Sequence, residues 1–153
     1  MRRALVYLLF FAVVLGGGLA IGSVTRPDGW YAALAKPPFN PPNWVFAPVW
    51  TALFFMMAIA GWRVWRRDGV RKARWALALF GAQLALNLGW SILFFGLRSI
   101  GAALIEICVL LLAILATTAV FWRRDRVAGM LFVPYAGWVA FAAVLNAALW
   151  RLN

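Results

Sequence analysis

The sequence predicts an all-α fold, an integral membrane bundle of five transmembrane helices forming a single domain over residues 1–153. Three observations carry that prediction. The chain is 66% hydrophobic and 12% charged, where a soluble domain has about 45–50% apolar and about 25% charged residues, so most of its outer surface must face lipid. Its apolar residues fall into five stretches of about 20 residues, the helical length that crosses a hydrocarbon core of about 30 Å. Its basic residues fall in the gaps between those stretches, as membrane topology requires.

The first stretch covers 4–24. Arg2 and Arg3, the apolar run and Ala20-Ile21-Gly22 also fit a cleavable signal peptide. Against cleavage, Gly18 and Gly22 form a G-x-x-x-G pair, and Ala12, Gly16 and Ala20 repeat every four residues. Small residues so spaced let helices pack closely in a membrane, which favours a retained helix. A loop follows over 25–43, TRPDGWYAALAKPPFNPPN. Pro37, Pro38, Pro41 and Pro42 stiffen it. Trp30, Tyr31 and Phe39 make it aromatic enough for either an interfacial belt or a lid over a binding site.

The remaining stretches are 44–65, 75–95, 100–122 and 127–150. On the second, Phe46, Trp50, Phe54 and Met57 share a face; on the third, Gln83, Asn87, Trp90 and Phe94 do, opposite a smooth ridge of Gly81, Ala85 and Gly89. The fifth repeats the pattern with Tyr135, Trp138, Ala142 and Asn146. Trp62, Trp65, Trp75, Trp122 and Trp150 lie at helix ends beside arginines, as interfacial anchors do. Trp50, Trp90 and Trp138 lie deeper, where an indole N–H needs a partner. At 1.5 Å per residue, Trp50 and Trp90 sit roughly 10 Å below the outer helix ends, which places a pocket under the loop. The amides of Gln83, Asn87 and Asn146 have a plainer use as hydrogen bonds between helices.

Eleven of the fifteen Lys and Arg residues lie on one side: Arg2 and Arg3, then Arg63, Arg66, Arg67, Arg71, Lys72 and Arg74, then Arg123, Arg124 and Arg126. Only Arg26, Lys36, Arg98 and Arg151 lie on the other. The excess predicts a cytoplasmic N-terminus and an outer C-terminus in a bacterial membrane. It also accounts for the net charge of +11 without nucleic acid. With no histidine and one cysteine, neither a Cys/His zinc site nor an intrachain disulfide is available, and no metal site is expected. Cys108 reads as a small packing residue. Glu106, the one acid within a stretch, is a functional candidate by position or a neutral group bonded to a neighbouring helix.

The motifs GWY (29–31), KPPFNPPNWVFAPVWTALFF (36–55), GAQLALNLGWSILFFGLRSIG (81–101) and LFVPYAGWVAFAAVLNAALWRLN (131–153) resemble the tryptophan-rich sensory protein (TspO) family. Its mitochondrial members are the translocator protein, or peripheral-type benzodiazepine receptor. The resemblance covers nearly the whole chain after the first helix. It implies a five-helix bundle, commonly a homodimer, that binds porphyrins such as protoporphyrin IX and other flat hydrophobic ligands without a cofactor. Matched residue by residue, the ligand-binding positions are Trp30, Tyr31, Trp50, Phe54, Asn87, Trp90, Trp138 and Ala142. Arg26, Lys36 and Arg98 near the outer mouth are placed to meet propionate groups. Where mitochondrial relatives carry a tyrosine in a proposed cholesterol motif, this chain has Ala147. The expected role is sensing, regulation or movement of tetrapyrrole intermediates. Two alternatives stay open: a light-dependent porphyrin-degrading enzyme, for which Trp50 and Trp138 would matter, and a transporter of porphyrin or sterol-like lipids, which the lack of an internal repeat disfavours.

Overall fold

The computed structural model describes residues 2–24 and 29–153. Among them are five α-helices, one π-helical turn and no strand: α1 (Arg2–Val24), α2 (Gly29–Ala33), α3 (Asn43–Ser91), the π turn (Ile92–Gly96), α4 (Ile100–Arg124) and α5 (Arg126–Leu152). Four helical segments are long and apolar enough to cross a membrane: Ala4–Ser23, Asn43–Gly96, Ile100–Arg124 and Arg126–Leu152. Large apolar side chains stand on the outside of the bundle, among them Leu5, Ile105, Leu112 and Val144. No aqueous surface of this size is stable with such exposure, and the lipid phase removes the penalty.

The second and third apolar stretches form one element. Helical backbone runs from Asn43 to Ser91 and is interrupted at Gly69, with φ 67° and ψ 174°. That conformation is open to glycine and strained for other residues, and there the chain reverses. The two arms then pack on each other: Gln83 Nε2 lies 3.8 Å from Met57 Sδ. The basic residues expected in a gap at 66–74 are therefore helical, because charge ends an apolar run without ending hydrogen bonding.

The helices tie together at the basic end through two carboxylates. Asp125, the residue between α4 and α5, caps α5 by accepting a hydrogen bond from Ala128 N–H at 3.1 Å. It also accepts from Arg63 Nε at 3.0 Å and Nη2 at 3.2 Å. Burial alone would raise its carboxyl, but the Ala128 hydrogen bond and the Arg63 contacts outweigh burial and hold it below the usual carboxylate range. Asp68 pairs with Arg124.

The core has a central cluster that includes Leu53, Met57, Phe80, Ile107, Phe121 and Phe132, and a second under α2 built from Tyr31, Phe94, Ala103, Leu145 and Leu149. Helix α1 packs along α3. Gly18 serves that contact most closely, since a Cβ there would stand 2.4 Å from the Phe54 ring; one at Gly17 would meet Leu88 at 3.8 Å, whereas Gly16 and Gly22 meet nothing within 4 Å. The Ala12, Gly16 and Ala20 stripe faces away from the bundle. Cys108, expected to pack, is exposed on α4.

Candidate functional site

Helical spacing brings three indoles to one cavity of about 30 Å³. Phe46 and Trp50 line it from the first arm of α3, one helical turn apart. Trp90 enters from the second arm. The π turn that follows adds Phe94 and Phe95. The π geometry inserts an extra residue into the turn, and both of its phenylalanines reach the cavity. Helix α5 contributes Trp138, Ala142, Leu145, Asn146 and Leu149, at steps of four, three, one and three residues along one face. Tyr31, from α2, completes the wall.

The polar groups at this wall have distinct states. Trp90 Nε1 donates to Asn146 Oδ1 at 3.1 Å, and Asn146 Nδ2 donates to Ile100 O at 3.0 Å, so that indole is held as a fixed plate. It stacks on Phe94 with centroids 5.2 Å apart. Trp138 Nε1 is buried and has no hydrogen-bond partner among the described residues. Its ring leans on Phe46 and Phe141. Tyr31 OH donates to Asn40 Oδ1 at 2.9 Å, which joins α2 to the proline segment. Burial raises the Tyr31 hydroxyl above its ordinary range, and the Asn40 contact offsets only part of that rise, so it remains a donor.

Of the eight residues singled out from the sequence, Tyr31, Trp50, Trp90, Trp138 and Ala142 line the cavity. The other three stand behind it. Trp30 packs edge-on against Phe94 at 5.8 Å. Phe54 is buried beside Trp50, centroids 5.6 Å apart. Asn87 donates to Tyr135 OH at 2.9 Å, and Tyr135 OH donates to Gln83 Oε1 at 2.9 Å. This buried relay links α3 to α5 and keeps the Asn87 amide from the cavity. The Glu106 oxygens are buried and have no hydrogen-bond partner among the described residues; they do not reach the cavity wall. At the mouth, Lys36 Nζ donates to Ala32 O and Leu34 O and lies 4.9 Å over the Tyr31 ring. Arg98 lies 5.9 Å from the Trp30 ring. Arg26 falls outside the described residues.

Phe95, Leu145 and Leu149 escaped sequence selection. The two leucines continue the step from Trp138 and Ala142 and were legible by spacing. Phe95 was not, because its position depends on the π turn.

A family model described as the TspO/MBR family matches residues 9–151. The chain belongs to the TspO/MBR family. It is 41% identical over 145 residues to a tryptophan-rich sensory protein of Cereibacter sphaeroides, covering 95% of this chain and 90% of the relative. It is 41% identical over 156 residues to the tryptophan-rich protein TspO of Chlorobaculum tepidum, covering 95% and 97%. The translocator protein of Bos taurus is 39% identical over 142 residues, covering 90% and 83%. As a TspO/MBR family member with several apolar helices, the chain is a multi-pass integral membrane protein.

Proposed function

We propose that this TspO/MBR family member binds porphyrins, protoporphyrin IX among them, and other flat hydrophobic ligands in the cavity under α2, and so senses, regulates or moves tetrapyrrole intermediates. The observation that carries this reading is the convergence of Trp50, Trp90 and Trp138 on one cavity in the apolar part of the bundle. A porphyrin is a broad aromatic plate, and indoles offer it stacking faces of matching polarisability. Trp138 Nε1 adds a donor for a ligand acceptor. Lys36 and Arg98 lie near the mouth, where propionates would meet cations. The words sensory and translocator in the relatives' names agree with a ligand-responsive membrane protein.

A cavity of about 30 Å³ has room for a water or two, while sites for drug-sized ligands run to about 300–1,000 Å³. Binding therefore needs α2 and the proline segment to lift. In the same reading, each arm of α3 crosses the bilayer, giving five spans. The basic excess puts the N-terminus in the cytoplasm and the C-terminus outside, as expected for a bacterial membrane. The exposed Gly81 and Ala85 ridge joins two copies into a homodimer.

A titration of the purified chain with protoporphyrin IX, followed by tryptophan fluorescence, tests binding. Saturable quenching at micromolar ligand is expected, and quenching that rises linearly without saturation would reject it. Trp50 and Trp138 both touch the cavity, which also favours light-dependent degradation as the second reading. Illumination of the complex followed by product analysis separates it from simple binding.

A further inference from the structure

The end of the bundle opposite the cavity carries the turn of α3 and the junction of α4 with α5. Nine Lys and Arg residues between 63 and 126 gather at these two turns, against Asp68 and Asp125 alone. Each aspartate is already taken, by Arg124 and Arg63. The other seven, Arg66, Arg67, Arg71, Lys72, Arg74, Arg123 and Arg126, are exposed and form no ion pair among the described residues. Membrane topology explains why cations are here but not how they are arranged.

An open cleft of about 880 Å³ has Arg66, Arg71 and Lys72 on its walls. Trp65 and the exposed Val70 supply its apolar part. Nothing lies within 4 Å of where a Gly69 Cβ would stand, so the turn itself does not fill the space. The Arg66 guanidinium carbon lies 4.6 Å over the centre of the Trp62 ring, which holds it beside an aromatic surface. Asp68, the one acid on the cleft, is neutralised by Arg124. Three cations at the rim of an apolar belt match a phosphate whose attached chains continue into hydrocarbon.

We propose that this cleft binds the headgroup of an anionic phospholipid of the adjoining leaflet, with Arg66, Arg71 and Lys72 on the phosphate and Trp65 and Val70 against the glycerol and upper chains. The site is independent of the cavity under α2, since α5 runs from one to the other.

The test uses the full chain extracted from vesicles of equal phosphatidylglycerol and phosphatidylcholine, with retained lipid counted by native mass spectrometry. The parent should keep phosphatidylglycerol preferentially. The double variant Arg71→Gln with Lys72→Gln should lose about tenfold in that preference. A control, Arg123→Gln with Arg126→Gln, removes the same charge from the same end outside the cleft and should keep it. Arg66→Gln, on the other side of Gly69, provides a second cleft variant if the double variant does not fold. Equal loss in cleft and control variants would reduce the effect to general surface charge and overturn the site. Equal retention of the two lipids by the parent would overturn it as well. Displacement of the lipid by millimolar inorganic phosphate would reassign the cleft to a soluble anion and so contradict the lipid proposal.

Discussion

Individual side chains in this bundle do two kinds of work, and their hydrogen bonds separate them. Asn146 fixes the Trp90 plate and ties α5 to the Ile100 carbonyl at the start of α4. Replacing it with Leu leaves the Trp90 N–H unmet inside the bundle and removes the tie to α4. The expected cost is about 1 kcal/mol, since hydrogen bonds within membrane bundles are modest, visible as a lower midpoint of thermal unfolding in detergent. Asp125 behaves differently because it ionises. Its carboxyl is held below the usual range, so its contribution is fully present above the unfolded value of about 3.9 and is lost as pH falls through the lower folded value. The thermal midpoint of the parent should therefore fall as pH drops from about 5 to 3. Asp125→Asn should lie lower at neutral pH and respond less to acid; equal acid responses in the two proteins would contradict this assignment. The sequence marked the deep indoles and the amides, because depth and helical spacing can be counted. It could not say that Asn87 turns to Tyr135 while Asn146 turns to Trp90, because rotamer and partner are settled by packing.

At the scale of elements, apolar length predicted helix, and four helical segments are long and apolar enough to cross a membrane; what it missed has physical causes. Hydropathy reports contact with lipid and is blind to backbone hydrogen bonding, so it shows a gap over 66–74 where the backbone is helical on both sides of Gly69. The reversal rests on Gly69 alone. Gly69→Ala would force an L residue into a region that costs about 1–3 kcal/mol, and a loss of thermal stability in that range is expected. For the loop over 25–43 the sequence allows either belt or lid. Its α2 segment presents Tyr31 to the cavity, and the far end of the chain holds it down. Ala35 N–H donates to Asn153 Oδ1 at 3.0 Å, and Asn153 Nδ2 donates to Ala35 O at 3.0 Å. If the cavity must open to fill, Asn153→Ala should speed porphyrin entry about fivefold, for about 1 kcal/mol of lost latch. Stopped-flow quenching checks it, and an unchanged association rate would mean that ligand enters by another path.

For the whole molecule, the cavity under α2 and the basic turns occupy opposite ends of one bundle; of the smooth ridge on α3, Gly81 and Ala85 are left on the outside, while Gly89 turns toward Glu106 of α4. Ala85→Leu should weaken assembly in detergent and bilayers while leaving porphyrin affinity near the parent value, because Ala85 is exposed and does not line the cavity. An unchanged oligomer would place the contact on another face. The central claim is that a tetrapyrrole occupies the cavity between Trp50, Trp90 and Trp138. It is tested most directly by protoporphyrin IX affinity in three variants of the purified chain. Trp50→Phe and Trp138→Phe keep much of the packing but lose ring area and an N–H, so each should weaken binding about tenfold, equivalent to about 1.4 kcal/mol. Trp65→Phe, at the basic end, should bind as the parent does. Parent-like affinity in Trp50→Phe and Trp138→Phe, with a loss in Trp65→Phe, would contradict the account.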